Sequence, residues 1–412
     1  MEMIKLTATT IRQHTGRDVV ARRSYVMLAM ATIGFALTFW AWALISPLGA
    51  HFKQTLGLSS FEQALIVAVP VVVGSLGRIP VGALTDKYGG RLMFPVISFS
   101  TIVPVLFLGL FGYRSLAALL VGGFFLGLAG TSFAVGVPFV SAWFPAHRRG
   151  TAIGIFGAGM GGTAISALTT VTLFDHLGIR GPFFIVAGVL AVYGLAAALV
   201  LRDAPNRPVP TSSALSRLRG TLKLRLTWQA SALYAVGFGG FVAFSVYLPT
   251  YLKNAYALSA TSAADKMAGF VLLAVVARAL GGWLSDRIAP AIVLTSAFAV
   301  VVAGALGQSQ TPALAPAGTI AFLAMAAALG TAAGAVFALV AQRAPAQQVG
   351  AVTGVVGAAG GLGGFVPPLV MGGIYGADGS YAWGLVALAV VAAAAMVYSF
   401  NMRRHAVSSP SV

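Results

Sequence analysis

Nothing constrains the fold of this chain more than its twelve apolar windows of about 20 residues, the length an α-helix needs to cross roughly 30 Å of hydrocarbon. They lie near 25–48, 62–84, 92–112, 115–141, 150–173, 181–201, 227–250, 267–284, 289–308, 314–341, 349–374 and 380–401. With 58% hydrophobic and 8% charged residues, against about 25% charged in soluble domains, the chain reads as an all-α polytopic membrane protein. Its 50 glycines suit close helix approach in lipid, where dispersion replaces the hydrophobic effect between helices. The absence of Cys excludes disulfides, thiolate metal sites and a Cys nucleophile.

The longest polar interruption, Arg202 to Arg225, contains Pro205, Pro208, Pro210 and a Thr-Ser-Ser run, as a flexible linker does. It divides the windows six and six. The expected organisation is an N-terminal arm at 1–24, a six-helix bundle at 25–201, a linker at 202–226, a second bundle at 227–402 and a tail at 403–412. Lys and Arg concentrate in alternate connections: nineteen of the 26 fall on the side of the N-terminus, and only Lys53, Arg114, Arg180, Lys253 and Lys266 on the other. The positive-inside rule then places both termini in the cytoplasm and the chain in the cell (inner or plasma) membrane. Topology explains most of the net charge of +17, so a nucleic-acid partner is not expected; the lipid bilayer is.

Two cations remain, Arg78 and Arg278, each inside an apolar window. Arg78, Gly82, Leu84 and Asp86 of RIPVGALTDK recur 200 residues later as Arg278, Gly282, Leu284 and Asp286 of RALGGWLSDR. Gly150, Gly154, Gly157 and Gly161 recur at the same offset as Gly350, Gly354, Gly357 and Gly361. Two unrelated motifs sharing one offset identify an internal duplication, and an even number of spans per half makes the halves parallel repeats. Eight helical residues separate each Arg from its Asp, about 12 Å of the roughly 15 Å half-thickness, so both guanidiniums are expected near the midplane. An Arg there costs about 2.5 to 3.5 kcal/mol on insertion scales. All nine acidic residues and all five His fall at window ends or outside, leaving no obvious carboxylate partner and an electropositive pocket suited to a small anion. Repeated glycines make smooth helix faces that let a partner slide or rock past. No Ser-His-Asp set or metal cluster can be assembled within the spans, so neither an enzyme nor a cofactor is expected.

The segment Gly82 to Arg91 (GALTDKYGGR) resembles the loop motif between the second and third helices of the major facilitator superfamily. An Asp at a helix end beside basic residues can latch one transporter state, and Asp86, Arg91, Asp286 and Arg287 are the expected latch. More narrowly, the chain resembles the nitrate/nitrite porter family. The run Gly354 to Phe365, with Gly357, Gly361 and Gly363, is similar to that family's second nitrate signature; Gly157 to Thr163, with Gly157, Gly159 and Gly161, resembles the first less closely. Where the family has an Asn beside the substrate, this chain has Met160, or Gly161 in another register.

The resemblance implies a major facilitator fold of twelve transmembrane helices in two parallel-related six-helix bundles. It implies a monomer that moves nitrate, nitrite or both by alternating access, the anion held between Arg78 and Arg278. Phe133, Tyr234 and Phe238 match family positions that cover the anion; the first helix offers Phe35 or Phe39. Nitrate/nitrite exchange and proton symport both stay open. So do a carrier of another small anion (cyanate, a carboxylate or a phosphate ester) and a non-transporting anion sensor or channel.

Overall fold

The computed structural model describes residues 2–205, 207, 214–285, 287–344 and 349–407. Among them there is no strand, and twelve helical spans are long and apolar enough to cross a membrane. In chain order these are α1 (Arg22–Leu56), α2 (Ser60–Tyr88), α3 (Gly90–Arg114), α4 (Leu116–Trp143), α5 (Ala152–Leu177) and α6 (Gly181–Val200). The second set is α7 (Arg225–Tyr256), α8 (Ala260–Ser285), α9 (Pro290–Ser309), α10 (Leu314–Val340), α11 (Ala351–Asp378) and α12 (Ala382–Met402). The all-helical, twelve-span architecture expected from the apolar windows is the one observed. A short helix, Ala214–Leu222, lies between the sets; Thr227 Oγ1 and Trp228 Nε1 at the start of α7 donate to the Thr221 and Leu222 carbonyls on its last turn, each at 2.8 Å.

The window at 62–84 is not one continuous helix. It divides at Gly77, and a second helical piece begins at Arg78. Pro80 supplies the reason: it has no N–H to donate to the Leu76 carbonyl, and its ring crowds the preceding turn. Gly77 still donates to the Val73 carbonyl at 2.8 Å and accepts from Val81 at 3.0 Å, so the backbone carries on across the break. The result sets the Arg78 side chain at a helix start inside the second span, buried to 3% exposure.

The duplication is visible in the packing. A Cβ on Gly130 of α4 would lie 3.1 Å from the Gly74 Cα of α2; a Cβ on Gly330 of α10 would lie 2.9 Å from the Ala274 Cα of α8. One residue further on, the Thr131 methyl sits 2.8 Å from a Gly77 Cβ position, and Thr331 Oγ1 donates to the Ala277 carbonyl at 3.4 Å. Both pairs repeat at the 200-residue offset. Small residues at these crossings let the helix backbones touch, which in lipid supplies the packing energy.

The two halves meet closely at the end away from the termini. There Ser46 Oγ of α1 donates to the Val246 carbonyl of α7, Gln63 Nε2 of α2 donates to Thr250 Oγ1 at 3.3 Å, and Gly372 of α11 presses on Ala64 and the Ser60 carbonyl. Toward the termini, a Cβ at Gly154 or Gly354 would meet nothing within 4 Å.

Candidate anion site between the halves

Each of the two buried arginines reaches out of its own half. Arg78 Nη1 donates to the Gly357 carbonyl of α11 at 2.6 Å, while its Nε donates to the Gly130 carbonyl of α4 at 3.3 Å. Arg278, 7% exposed, has Nη1 3.3 Å from Met160 Sδ of α5 and Nη2 3.2 Å from the Tyr234 hydroxyl oxygen, which accepts. The glycines make room for this crossing. A Cβ on Gly361 would collide with Ser75 Oγ and lie 3.3 Å from Arg78 Nη1; a Cβ on Gly157 would lie 3.7 Å from Arg278 Nε. Gly157, Gly357 and Gly361 therefore border the guanidiniums. Gly159 packs instead on Phe35 and Gly363 on the Ala235 backbone, and a Cβ at Gly161 would meet nothing within 4 Å.

Aromatic rings close the space around the cations. Arg78 Cζ lies 5.4 Å from the Phe133 ring centroid and 5.6 Å from that of Phe238; Arg278 Cζ lies 5.7 and 5.5 Å from the same two rings. One guanidinium from each half thus shares one pair of ring faces, whose negative quadrupoles offset part of the mutual repulsion. Tyr234 stacks parallel on Phe238 at 4.9 Å, one turn along α7, and its ring covers Gly360.

Two further rings belong to this cluster and carried no signal in the sequence. Phe337 of α10 lies 5.6 Å from Arg278 Cζ and edge-on to Tyr234 at 4.8 Å. Phe156 stacks on Phe35 at 4.9 Å and lies 6.1 Å from Phe133. Phe156 directly precedes Gly157, the one hint its position gave. Of the two rings left open on the first helix, Phe35 is 5.7 Å from Phe133 and covers Gly159, whereas Phe39 also packs on Trp42 at 5.0 Å. Of the two registers left open on α5, it is Met160 that faces Arg278.

The acceptors on the guanidiniums are two backbone carbonyls, a thioether and a phenol, all neutral. Each guanidinium has five N–H donors, more than these contacts use. Two acidic groups are engaged elsewhere: Glu62 forms a capping box with Ser59, whose N–H donates to Oε2 at 2.8 Å, and Asp203 accepts the Arg91 amide at 3.2 Å. Among the described residues no group of three His, Cys, Asp or Glu could hold a metal ion. A buried site with two positive charges, spare planar donors and aromatic walls can bind a compact anion and exclude water from it.

At the end of the bundle that carries the termini, backbone groups of Asp86, Lys87 and Arg91 join the α2–α3 turn to Asp203 and Arg207. Arg207 donates through Nη1 to the Asp86 carbonyl and through Nη2 to the Lys87 carbonyl at 3.3 Å. Arg91 joins this tie through its backbone amide on Asp203. Arg287 stacks on Trp283, its Cζ 3.9 Å from the ring centroid. Asp286 lies outside the described residues.

Known proteins resemble the chain over most of its length. The Major Facilitator Superfamily profile matches residues 31–368. The chain is 46% identical over 385 residues to the probable nitrate/nitrite transporter NarK2 of Mycobacterium tuberculosis (strain H37Rv), covering 92% of this chain and 97% of that protein. It is 34% identical over 380 residues to the nitrite extrusion protein of Bacillus subtilis (strain 168), covering 91% and 93%. A crystal structure of a bacterial homologue of the human lysosomal transporter Spinster, in an inward-facing and unoccupied conformation, superposes with a TM-score of 0.71. That pair shares 20% identity and covers 94% of this chain and 99% of the other, a likeness of fold alone.

Proposed function

The chain belongs to the Major Facilitator Superfamily, in its nitrate/nitrite porter family, and from that premise we propose that it carries nitrate and nitrite across the membrane by alternating access. The observation that supports this reading best is the sharing of Phe133 and Phe238 by Arg78 and Arg278, one cation from each half over the same two rings. An anion between such cations removes their repulsion, and planar guanidiniums match the planar oxygens of nitrate and nitrite. Tyr234, Phe133 and Phe238 shape the pocket. The relatives named for nitrate or nitrite lend the substrate class.

Because the anion bridges the halves, its binding draws them together at the site; its release lets them rock about it. The glycine faces on α5 and α11 allow this motion, and the ties that join Arg207 to the Asp86 carbonyl and the Arg91 amide to Asp203 would break and re-form with it. The transporter is read as a monomer in the cell membrane with both termini in the cytoplasm. Exchange of nitrate for nitrite is the preferred coupling, since the side-chain and backbone acceptors on Arg78 and Arg278 are neutral and no acidic or His side chain is among them.

Counterflow in proteoliposomes tests the reading. With nitrite inside and labelled nitrate outside, uptake should rise well above that of empty vesicles and should not need a pH gradient. A strict requirement for a pH gradient would replace exchange with proton symport. Movement of neither anion would remove the proposed substrate, and equal flux without internal nitrite would indicate a channel.

A further inference from the structure

A second positively charged feature lies outside the central site. Where α1, α4 and α6 end on the side of the termini, a groove of about 400 Å³ is lined by Arg22, Arg23 and Arg202 at its mouth and by Val26, Trp143 and Val200 along its wall. All three arginines are exposed, while Val26 and Val200 are 42% and 40% exposed, so the apolar wall is open to whatever surrounds the bundle. The groove is built rather than incidental. Trp143 Nε1 donates to the Arg202 carbonyl at 3.1 Å, Ser24 Oγ donates to the Trp143 carbonyl at 3.1 Å, and the Arg202 amide contacts Met27 Sδ at 3.2 Å. These contacts fix α1, α4 and the exit from α6 around one opening.

Among the described residues no carboxylate lines it. Asp203, the nearest acid in sequence, accepts from the Arg91 amide and fills the space beside Gly89, so it is committed to the α2–α3 turn. Three cations over an apolar wall at a membrane surface match one chemistry: a phosphate on a glycerolipid, its acyl chain running along Val26 and Val200 and its headgroup level with an interfacial Trp. We propose that this groove is a binding site for an anionic phospholipid of the leaflet facing the termini. The groove joins α1 to α6 within the first bundle, so occupancy would brace that bundle without touching the anion path. The proposal does not depend on which anion the transporter carries.

The test uses the full-length protein purified and delipidated in detergent. Phosphatidylglycerol should raise its Tm by several degrees, whereas phosphatidylethanolamine and inorganic phosphate should leave it unchanged. Phosphatidylglycerol with brominated acyl chains should quench a component of the tryptophan fluorescence that is missing in Trp143→Phe. The triple variant Arg22→Gln, Arg23→Gln, Arg202→Gln should lose affinity for phosphatidylglycerol on the order of 100-fold, about fivefold for each interfacial cation, while its lipid-free Tm stays that of the parent. Equal stabilisation by phosphatidylethanolamine, displacement of the lipid by inorganic phosphate, unchanged binding by the triple variant, or quenching that persists in Trp143→Phe would each overturn the proposal. Should the triple variant fail to fold, the quenching comparison on the parent and Trp143→Phe decides alone.

Discussion

Arg78 donates to the backbone carbonyl of Gly357, 279 residues away and in the opposite half of the molecule. The contact crosses the path an anion would take, so the first bundle reports directly on the position of α11. A charge-assisted hydrogen bond of this kind contributes about 1.5 to 3 kcal/mol, enough to couple substrate binding to the approach of the two halves.

Replacing either arginine with lysine should therefore do more than shift a charge. Lysine keeps the positive charge but loses the planar fork that can hold a carbonyl and an anion together. Arg78→Lys and Arg278→Lys should each lower nitrate uptake by roughly 10- to 100-fold, the equivalent of one charge-assisted hydrogen bond. Initial rates of labelled nitrate uptake into proteoliposomes measure the loss, and full activity in both variants would disprove the clamp.

Glycine should be required at Gly361 and dispensable at Gly161. A methyl at Gly361 runs into Ser75 Oγ, and its nearest neighbours include the Arg78 guanidinium, whereas a methyl at Gly161 meets open space. Overpacking of this kind costs typically 1 to 3 kcal/mol. Gly361→Ala should abolish most uptake and Ser75→Gly in the same chain should restore part of it, while Gly161→Ala stays near the parent in this state of the cycle.

At Met160 a change should improve the site. The thioether is a weak acceptor for Arg278. An amide there would accept from the guanidinium and offer N–H donors to the anion. Met160→Asn should tighten nitrate binding by about fivefold, the value of one ordinary hydrogen bond near 1 kcal/mol, as read by titration of the purified protein. Weaker binding would show that the sulfur contributes more than packing.

The far end of the bundle can be locked. The chain has no cysteine, so a Ser46→Cys, Val246→Cys pair placed where Ser46 now donates to Val246 would hold the only two thiols in the protein. Oxidation should stop counterflow and reduction should restore it. Undiminished transport by the oxidised, crosslinked protein would show that this seal does not open during the cycle.

The parts of this arrangement readable from sequence were those with a period or a repeat. Apolar windows marked the twelve spans, and the 200-residue offset picked out Arg78 with Arg278. The direction in which each arginine reaches was not readable, because an offset pairs residues that are equivalent, and the contacts at the site join residues that are not. Phe337 and Phe156 escaped for a simpler reason: one ring in an apolar helix looks the same whether it faces a neighbour or a guanidinium. The break at Gly77 was in principle legible from Pro80, yet an apolar window averages over a missing hydrogen bond.

Phe35 covers Gly159 in one half, and Tyr234 covers Gly360 in the other. The two rings play the same architectural part on the first helix of each bundle, and they differ by a single oxygen. The pocket is consequently even-handed in charge and lopsided in hydrogen bonding: there is a guanidinium on either side but a phenol on one. A trigonal anion gripped from both sides still has a third oxygen to offer that lone hydroxyl, while a bent anion with two oxygens has none to spare. Preference between the two ions can then rest on the one atom by which these two rings differ.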